Sequence, residues 1–177
     1  MGRETYLSEL VPKTAELLRG QTIDQCAAIC WRLDSFGTIE VLLISSRDTG
    51  RWVIPKGNIE KSEPLHKCAR REALEEAGVI GRVGKKAIGC YTYLKDAAKP
   101  PFLVSVFSLE VENAAGKFKE AGIRNLVWVS PSEAAALVEE PELKGIFRSI
   151  SGARVPKAFR KHTDKAPSLR KAHGTSI

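Results

Sequence analysis

A chain of 177 residues, 43% hydrophobic and 28% charged, is long enough to bury a core in one domain without disulfide staples. No apolar run approaches the ~20 residues of a membrane span and no signal-peptide pattern opens the chain, so neither a membrane-spanning nor an exported protein is expected. The net charge of +7 points toward an anionic partner only if it belongs to the folded body, and its placement along the chain decides that.

Residues 1–20 read as an extension ahead of the domain. Tyr6, Leu7, Leu10 and Val11 have helical spacing, which Pro12 then interrupts. The segment docks on the domain, helps a dimer or frays; monomer and homodimer both stay open.

The domain is expected over residues 21–150. Residues 26–33, CAAICWRL, form a short apolar strand, and DSFGT with Gly37 is a turn. IEVLLIS is a nearly continuous apolar run suited to a buried strand. A polar loop over residues 45–51 follows. Arg32, Arg47, Arg51 and Lys56 all lie near the ends of these strands. Singly each is a solubilising charge; grouped around a metal site they favour an anionic substrate. Cys26, Cys30, Cys68 and Cys90 show no zinc or CxxC spacing and read as reduced core residues of a cytoplasmic protein.

Residues 52–79, WVIPKGNIEKSEPLHKCARREALEEAGV, carry the chemistry. A short strand over 52–54 leads through a loop opened by Pro55-Lys56-Gly57 into a helix. Ser62 or Glu63 can cap that helix, Pro64 suits its first turn, and Gly78 suits the left-handed residue past its end. Glu72, Glu75 and Glu76 stand at i, i+3 and i+4, crowding three carboxylates into one arc. Such like-charge pairs cost ~0.2–0.5 kcal/mol each on an isolated helix. Alone, the run is a solvated acidic face; with a divalent cation it becomes a set of hard oxygen ligands of the kind Mg²⁺ or Mn²⁺ prefers.

Gly57, Glu63, Arg71, Glu72, Glu75, Glu76 and Gly78, followed by apolar Val79, fit G-x5-E-x7-R-E-x-x-E-E-x-G. This pattern resembles the Nudix box, the signature of Nudix hydrolases. The resemblance implies an α/β/α sandwich holding Mg²⁺ or Mn²⁺ on a loop-helix-loop. It makes Glu72 and Glu76 metal ligands, helped by the backbone carbonyl of Lys56. Glu75 becomes the base or water-orienting group, although the family is not uniform on which carboxylate takes the proton. Arg71 with Glu63 resembles the ion pair that braces the loop against the helix.

Outside the box, residues 25–147 look most like the diphosphoinositol polyphosphate and dinucleoside polyphosphate phosphohydrolases. Through that likeness Ser45, Ser46, Arg47, Lys95, Arg124 and Lys144 are phosphate contacts, joined by the strand-end cations Arg32 and Lys56. Glu120 is the further carboxylate that some members place near the metals. Gln25 and Cys26 stand where that subgroup often has basic residues, and Lys56 replaces a glycine of its Gly-rich turn. The implied activity is cleavage of a diphosphate linkage in a phosphorylated small molecule. Alternatives are ADP-ribose or nucleotide-sugar hydrolysis, nucleoside triphosphate hydrolysis, and a non-catalytic ligand-sensing module.

After the box, strands are expected from about Ala87 to Lys95, over PFLVSVFSLEVE and over NLVWV, all in one mixed sheet with helices packed on it. Ser130-Pro131-Ser132-Glu133 is a capping box with proline at the first helical position, and a last helix runs over 141–150. Residues 151–177 hold seven Lys and Arg against one Asp, so the body is close to neutral. This basic tail is expected to be a flexible, solvated terminus; loose contact with nucleic acid is the weaker alternative.

Overall fold

Alternation along the first strand sets the layers of the molecule. A computed structural model describes residues 11–95 and 99–151 of the protein. A short 3₁₀ turn (Val11–Lys13) and helix α1 (Thr14–Leu18) precede β1 (Ile23–Leu33), and neither buries a residue. The helical spacing noted at Tyr6, Leu7 and Leu10, and the basic tail, fall outside the described residues. Within β1, Ala27, Ile29 and Trp31 face one side of the sheet while Cys26, Ala28 and Cys30 face the other, and all six are buried. A strand buried on both faces must lie at the centre of a three-layer structure.

Eight strands make that sheet. β1 runs parallel to β7 (Phe102–Ala114) from Ile23↔Phe102 to Trp31↔Glu110. Beyond β7 lie β5 (Val79–Val83) and β6 (Gly89–Tyr93), both antiparallel to it. On the other side of β1, β2 (Ile39–Ser45) pairs only over Trp31, Arg32 and Leu33. The two strands then part. β1 takes β4 (Lys56–Asn58) as its partner at Gln25, Cys26 and Ala27, while β2 takes β3 (Trp52–Val53). β8 (Leu126–Val129) closes the far edge against β2. The sheet is mixed, as expected, and the box loop occupies the gap where β1 and β2 diverge.

Helix α2 (Leu65–Ala77) covers one face, packing Cys68, Ala69, Ala73 and Ala77 against β1, β5 and β4. Its stripe of small residues lets the helix axis approach the sheet closely. Helices α3 (Pro131–Leu137) and α4 (Pro141–Ile150) cover the other face with Ala134, Ala135, Leu143, Phe147 and Ile150. This is the expected α/β/α arrangement. The capping box at Ser130 forms on both of its hydrogen bonds. No helix among the described residues is long and apolar enough to cross a membrane.

Several local expectations are corrected. The residues after Gly78 go directly into β5, which was missed because Gly81 breaks its pattern. A side chain at Gly81 would meet the Glu110 carbonyl at 2.0 Å, so glycine is what lets β5 lie against β7 there. Residues 56–58, read as loop, form β4. Neither Ser62 nor Glu63 caps α2: the N-cap residue is Pro64, and Ser62 instead adopts a positive φ of 63° in the preceding turn. Cys26, Cys30 and Cys68 are buried free thiols as expected, but Cys90 is exposed.

Candidate active site

Gly57 and Glu72 define the centre of the site. Glu72 and Glu76 sit at the edge of the buried stripe of α2, so their carboxylates lie between helix and β4 rather than in open solvent, at 8% and 7% exposure. A Cβ added at Gly57 would stand 2.2 Å from the Glu72 carboxylate carbon. The missing side chain is therefore the space the carboxylate occupies. Gly78 plays two parts at the other end of the helix. Its φ of 65° closes α2 in a left-handed cap, and a Cβ there would strike the Phe118 ring at 2.5 Å.

Each acidic group is answered by a cation. Arg71 grips Glu63 with both arms, Nε donating to Oε1 at 3.0 Å and Nη2 to Oε2 at 2.9 Å. The same guanidinium donates to the Asn58 carbonyl at 2.9 Å and to Glu72 at 2.5 Å. Loop, β4 and helix are thus tied through one side chain. Glu76 accepts from the Lys56 backbone N–H at 2.9 Å and from Arg124 Nη2. Arg124 also donates to Glu120 at 2.5 Å and to the Ser45 carbonyl at 3.0 Å. Glu75 accepts from Lys119 at 2.6 Å.

Burial pushes the Glu72 and Glu76 carboxyls above the usual carboxylate range; in Glu76 the Lys56 N–H and the nearby Lys56 and Arg124 charges partly offset it. Glu63 moves the other way, held low by the hydrogen bonds from Arg71. Burial likewise lowers the Lys56 ammonium, which lies 5.5 Å from the centre of the Tyr93 ring.

Glu72, Glu75, Glu76 and Glu120, with Arg71, Lys119 and Arg124, line a cleft of about 840 Å³ that also takes in Ser46, Arg47, Arg51, Lys56 and Lys95. Three of the expected phosphate contacts lie elsewhere. Arg32 is seven residues along β1 from Gln25, about 23 Å at the strand rise. It pairs with Glu40 at 2.9 Å and stacks 4.1 Å from the Trp128 ring centre, so it is no part of the cleft. The Ser45 hydroxyl accepts from the Asn125 N–H at 2.9 Å and is buried. Ser46, the first residue after β2, is the serine that lines the cleft. Lys144 lies on α4, outside the cleft lining.

Other residues enter that sequence reasoning undervalued. Arg51, noted only as a strand-end cation, lines the cleft and donates to Glu140 at 2.6 Å and to Glu139 at 3.4 Å. Glu140 is 1% exposed and precedes α4 as its N-cap residue. Gln25 stands where a basic residue was looked for; its amide donates to Asn58 at 2.8 Å and accepts from the Tyr93 hydroxyl at 2.9 Å. Lys119 is one residue from Glu120 and went unremarked. Sequence signals existed for Arg51 and Glu140, beside Trp52 and Pro141, but none for their pairing.

A hard divalent cation suits this donor set chemically, since every candidate ligand is oxygen and Gly57 leaves room for the Glu72 carboxylate. Among the described residues no three His, Cys, Asp or Glu side chains are gathered as a ready-made cage. The carboxylates are instead held by Arg71, Lys119 and Arg124.

An α/β/α fold with a carboxylate-bearing helix beside a split in its sheet defines a class, and residues 24–150 match the family model of the NUDIX domain. The chain belongs to the NUDIX domain family, and Nudix hydrolases generally use divalent metals such as Mg²⁺. It is 32% identical over 113 residues to Nudix hydrolase 18, mitochondrial, of Arabidopsis thaliana, a match covering 62% of this chain and 64% of that protein. The chain thus spans about three fifths of the length of the curated relatives it matches. Among solved structures it superposes on an Ap4A hydrolase of C. elegans with a TM-score of 0.58 at 19% identity, covering 73% of this chain and 96% of that one. The NUDIX domain of Shewanella oneidensis NrtR, solved with ADP ribose, gives 0.56 at 16% identity, covering 77% and 96%. These two likenesses show the shared fold.

Proposed function

We propose that this protein is a Mg²⁺- or Mn²⁺-dependent pyrophosphohydrolase that cleaves a diphosphate linkage in a dinucleoside polyphosphate or diphosphoinositol polyphosphate. The observation that carries the reading is Glu72, Glu75 and Glu76 on one face of α2, with Gly57 cut back to admit Glu72. In this reading Glu72, Glu76, the Lys56 carbonyl and Glu120 hold the metal. Once bound, the dication would screen the phosphate oxygens and make a water acidic enough to attack at neutral pH.

The chain's own residues do the rest. Glu75 faces the cleft and takes the proton of the attacking water. Arg71, locked by Glu63 and the Asn58 carbonyl, fixes the orientation of Glu72. Ser46, Arg47, Lys56, Lys95 and Arg124 receive the phosphates around that centre, Lys56 from the buried wall and Arg47 and Lys95 from the rim.

Charge favours one of the two substrates. Among the described residues seven cations and seven carboxylates line the cleft, with no excess of positive charge. Gln25, an amide braced by Asn58 and Tyr93, replaces a cation on the β1 wall. A ring phosphorylated at every carbon gains little from such a cleft, whereas a short phosphate chain with one or two metal ions suits it. The dinucleoside polyphosphate is therefore the favoured substrate. The intact Glu75 separates this reading from a ligand-sensing module, which has no use for a group that handles water. A substrate panel with Mg²⁺ and Mn²⁺, scored by product mass, tests the proposal. Cleavage of the phosphate chain of a dinucleoside polyphosphate is expected. Turnover of ADP-ribose or nucleoside triphosphates alone would overturn the substrate, and no turnover at all would overturn the hydrolase.

A further inference from the structure

The cations that neutralise the box carboxylates are held with unequal firmness. Arg124 is anchored on three sides, by Glu76, Glu120 and the Ser45 carbonyl, and its side chain is 5% exposed. Arg71 is anchored by Glu63 and the Asn58 carbonyl. Lys119 differs. Its ammonium lies 2.6 Å from Glu75 Oε2, its side chain is 70% exposed, and among the described residues that side chain makes no other hydrogen bond or ion pair.

The backbone beneath Lys119 is nonetheless fixed. Ala115 N–H donates to the Gly78 carbonyl at 2.7 Å, Glu120 N–H donates to the Glu75 carbonyl at 3.0 Å, and Phe118 packs against Gly78. A pinned loop therefore delivers a flexible four-carbon arm to the rim of the cleft, which Lys119 also lines. An ammonium on Glu75 and a dication on the adjoining Glu72 and Glu76 repel each other across a few ångströms. Of the three cations, Lys119 has the least to lose by leaving.

We propose that Lys119 is a displaceable counter-cation: it neutralises Glu75 in the metal-free protein, is driven off when a divalent ion enters, and then serves the substrate's phosphates. The proposal rests on the hydrolase reading above. It makes metal loading and phosphate binding exchange partners, with one positive charge passing from carboxylate to substrate. Lys119 is thereby a positioning residue for Glu75 in one state and a substrate contact in the other.

The test uses the full chain and its Lys119→Met and Lys119→Arg variants. Mn²⁺ is titrated in the absence of substrate by calorimetry and by the Mn²⁺ paramagnetic resonance signal. Diadenosine polyphosphate affinity is then read from KM at saturating Mn²⁺. Lys119→Met is expected to bind Mn²⁺ roughly 3- to 10-fold more tightly while its KM rises by a similar factor, from one charge removed near a dication and near a polyanion. Lys119→Arg, which keeps the charge, should stay near wild type in both. A merely structural role would weaken both measurements together. Unchanged or weaker Mn²⁺ binding in Lys119→Met, with wild type binding Mn²⁺ and turning over, removes the Lys119 proposal alone. Wild type that neither binds Mn²⁺ nor cleaves the panel removes the hydrolase reading itself.

Discussion

Replacing Gly57 by alanine is the most selective perturbation the site offers. The new Cβ would sit 2.2 Å from Glu72 Cδ and Oε1 and 2.4 Å from Oε2. Ordinary carbon contacts begin near 3.5 Å, so the carboxylate must retreat by about 1 Å. Gly57 has no positive φ, and the clashing atoms are the far end of a flexible side chain. Alanine in β4 therefore costs the fold little, and the whole burden falls on where the Glu72 oxygens stand. A misplacement of about 1 Å at a reacting centre can cost about 10²-fold in rate. Gly57→Ala is expected to melt within a few degrees of wild type, to bind Mn²⁺ at least ~10-fold more weakly, and to lose about 10²-fold in kcat/KM. Calorimetry with Mn²⁺, a thermal melt and steady-state rates check the three parts. Wild-type Mn²⁺ affinity in a folded Gly57→Ala protein would refute the placement of a metal at Glu72.

Glu76→Gln is expected to lower turnover by orders of magnitude. Its stability should hold or rise by up to about 1 kcal/mol, because burial already favours a neutral group at position 76 and the amide oxygen can still accept from the Lys56 N–H. A chemical-denaturation curve checks this, and a clear loss of stability would mean that the ion pair with Arg124 outweighs the burial of the charge. Arg32→Ala should leave kcat/KM within about twofold, since a surface pair and a ring contact are worth ~1 kcal/mol to stability and nothing to the cleft. Arg47→Ala should chiefly raise KM for the most phosphorylated substrate, and an equal change across the panel would argue against a phosphate contact. The raised carboxyls of Glu72 and Glu76 favour the fold below about pH 4.5, and that contribution is lost as pH rises through their folded-state values. Glu63, held low, contributes in the opposite sense, above its unfolded value and lost in acid. Because metal needs the ionised carboxylates, the Mn²⁺-induced rise in melting temperature should be larger at pH 7.5 than at pH 5, and a rise that grows in acid would contradict it.

Much of the site was legible in the sequence because its geometry is local. Glu72, Glu75 and Glu76 share a helix face by spacing alone, and Gly78 ends that helix wherever the rest of the chain goes. The strands buried on both faces, β1 and β2, declared themselves by apolar runs. What escaped depends on pairing between distant segments. β4 is three residues, Lys56-Gly57-Asn58, with no strand pattern of their own; they are a strand because β1 loses β2 as a partner and Gln25, Cys26 and Ala27 need another. Arg32 was misjudged because a sequence shows that a cation stands at a strand end but not which end meets the loop. Ser45 and Ser46 are adjacent, but β2 ends between them: the first is the last strand residue and is turned into the fold, and the second opens the loop on the cleft side.

The balanced charge of the cleft has a consequence that no single residue carries. Were the arginines and lysines free, the cleft would attract any polyanion, with or without metal, and substrate would bind in unproductive forms. Their engagement by carboxylates prevents this: Arg124 answers Glu76 and Glu120, Lys119 answers Glu75, and Lys95 answers Asp48 at 3.1 Å. On the proposed reading, the positive charge of Arg124 and Lys119 becomes available to phosphate as a dication takes over the carboxylates that these two side chains had been neutralising. Substrate affinity should therefore rise with Mn²⁺ concentration and not reach a plateau before the metal sites fill. A KM independent of Mn²⁺ across its binding range would mean that the cations were never held back. The polar contacts between α2 and the loop after β7 would then be packing alone.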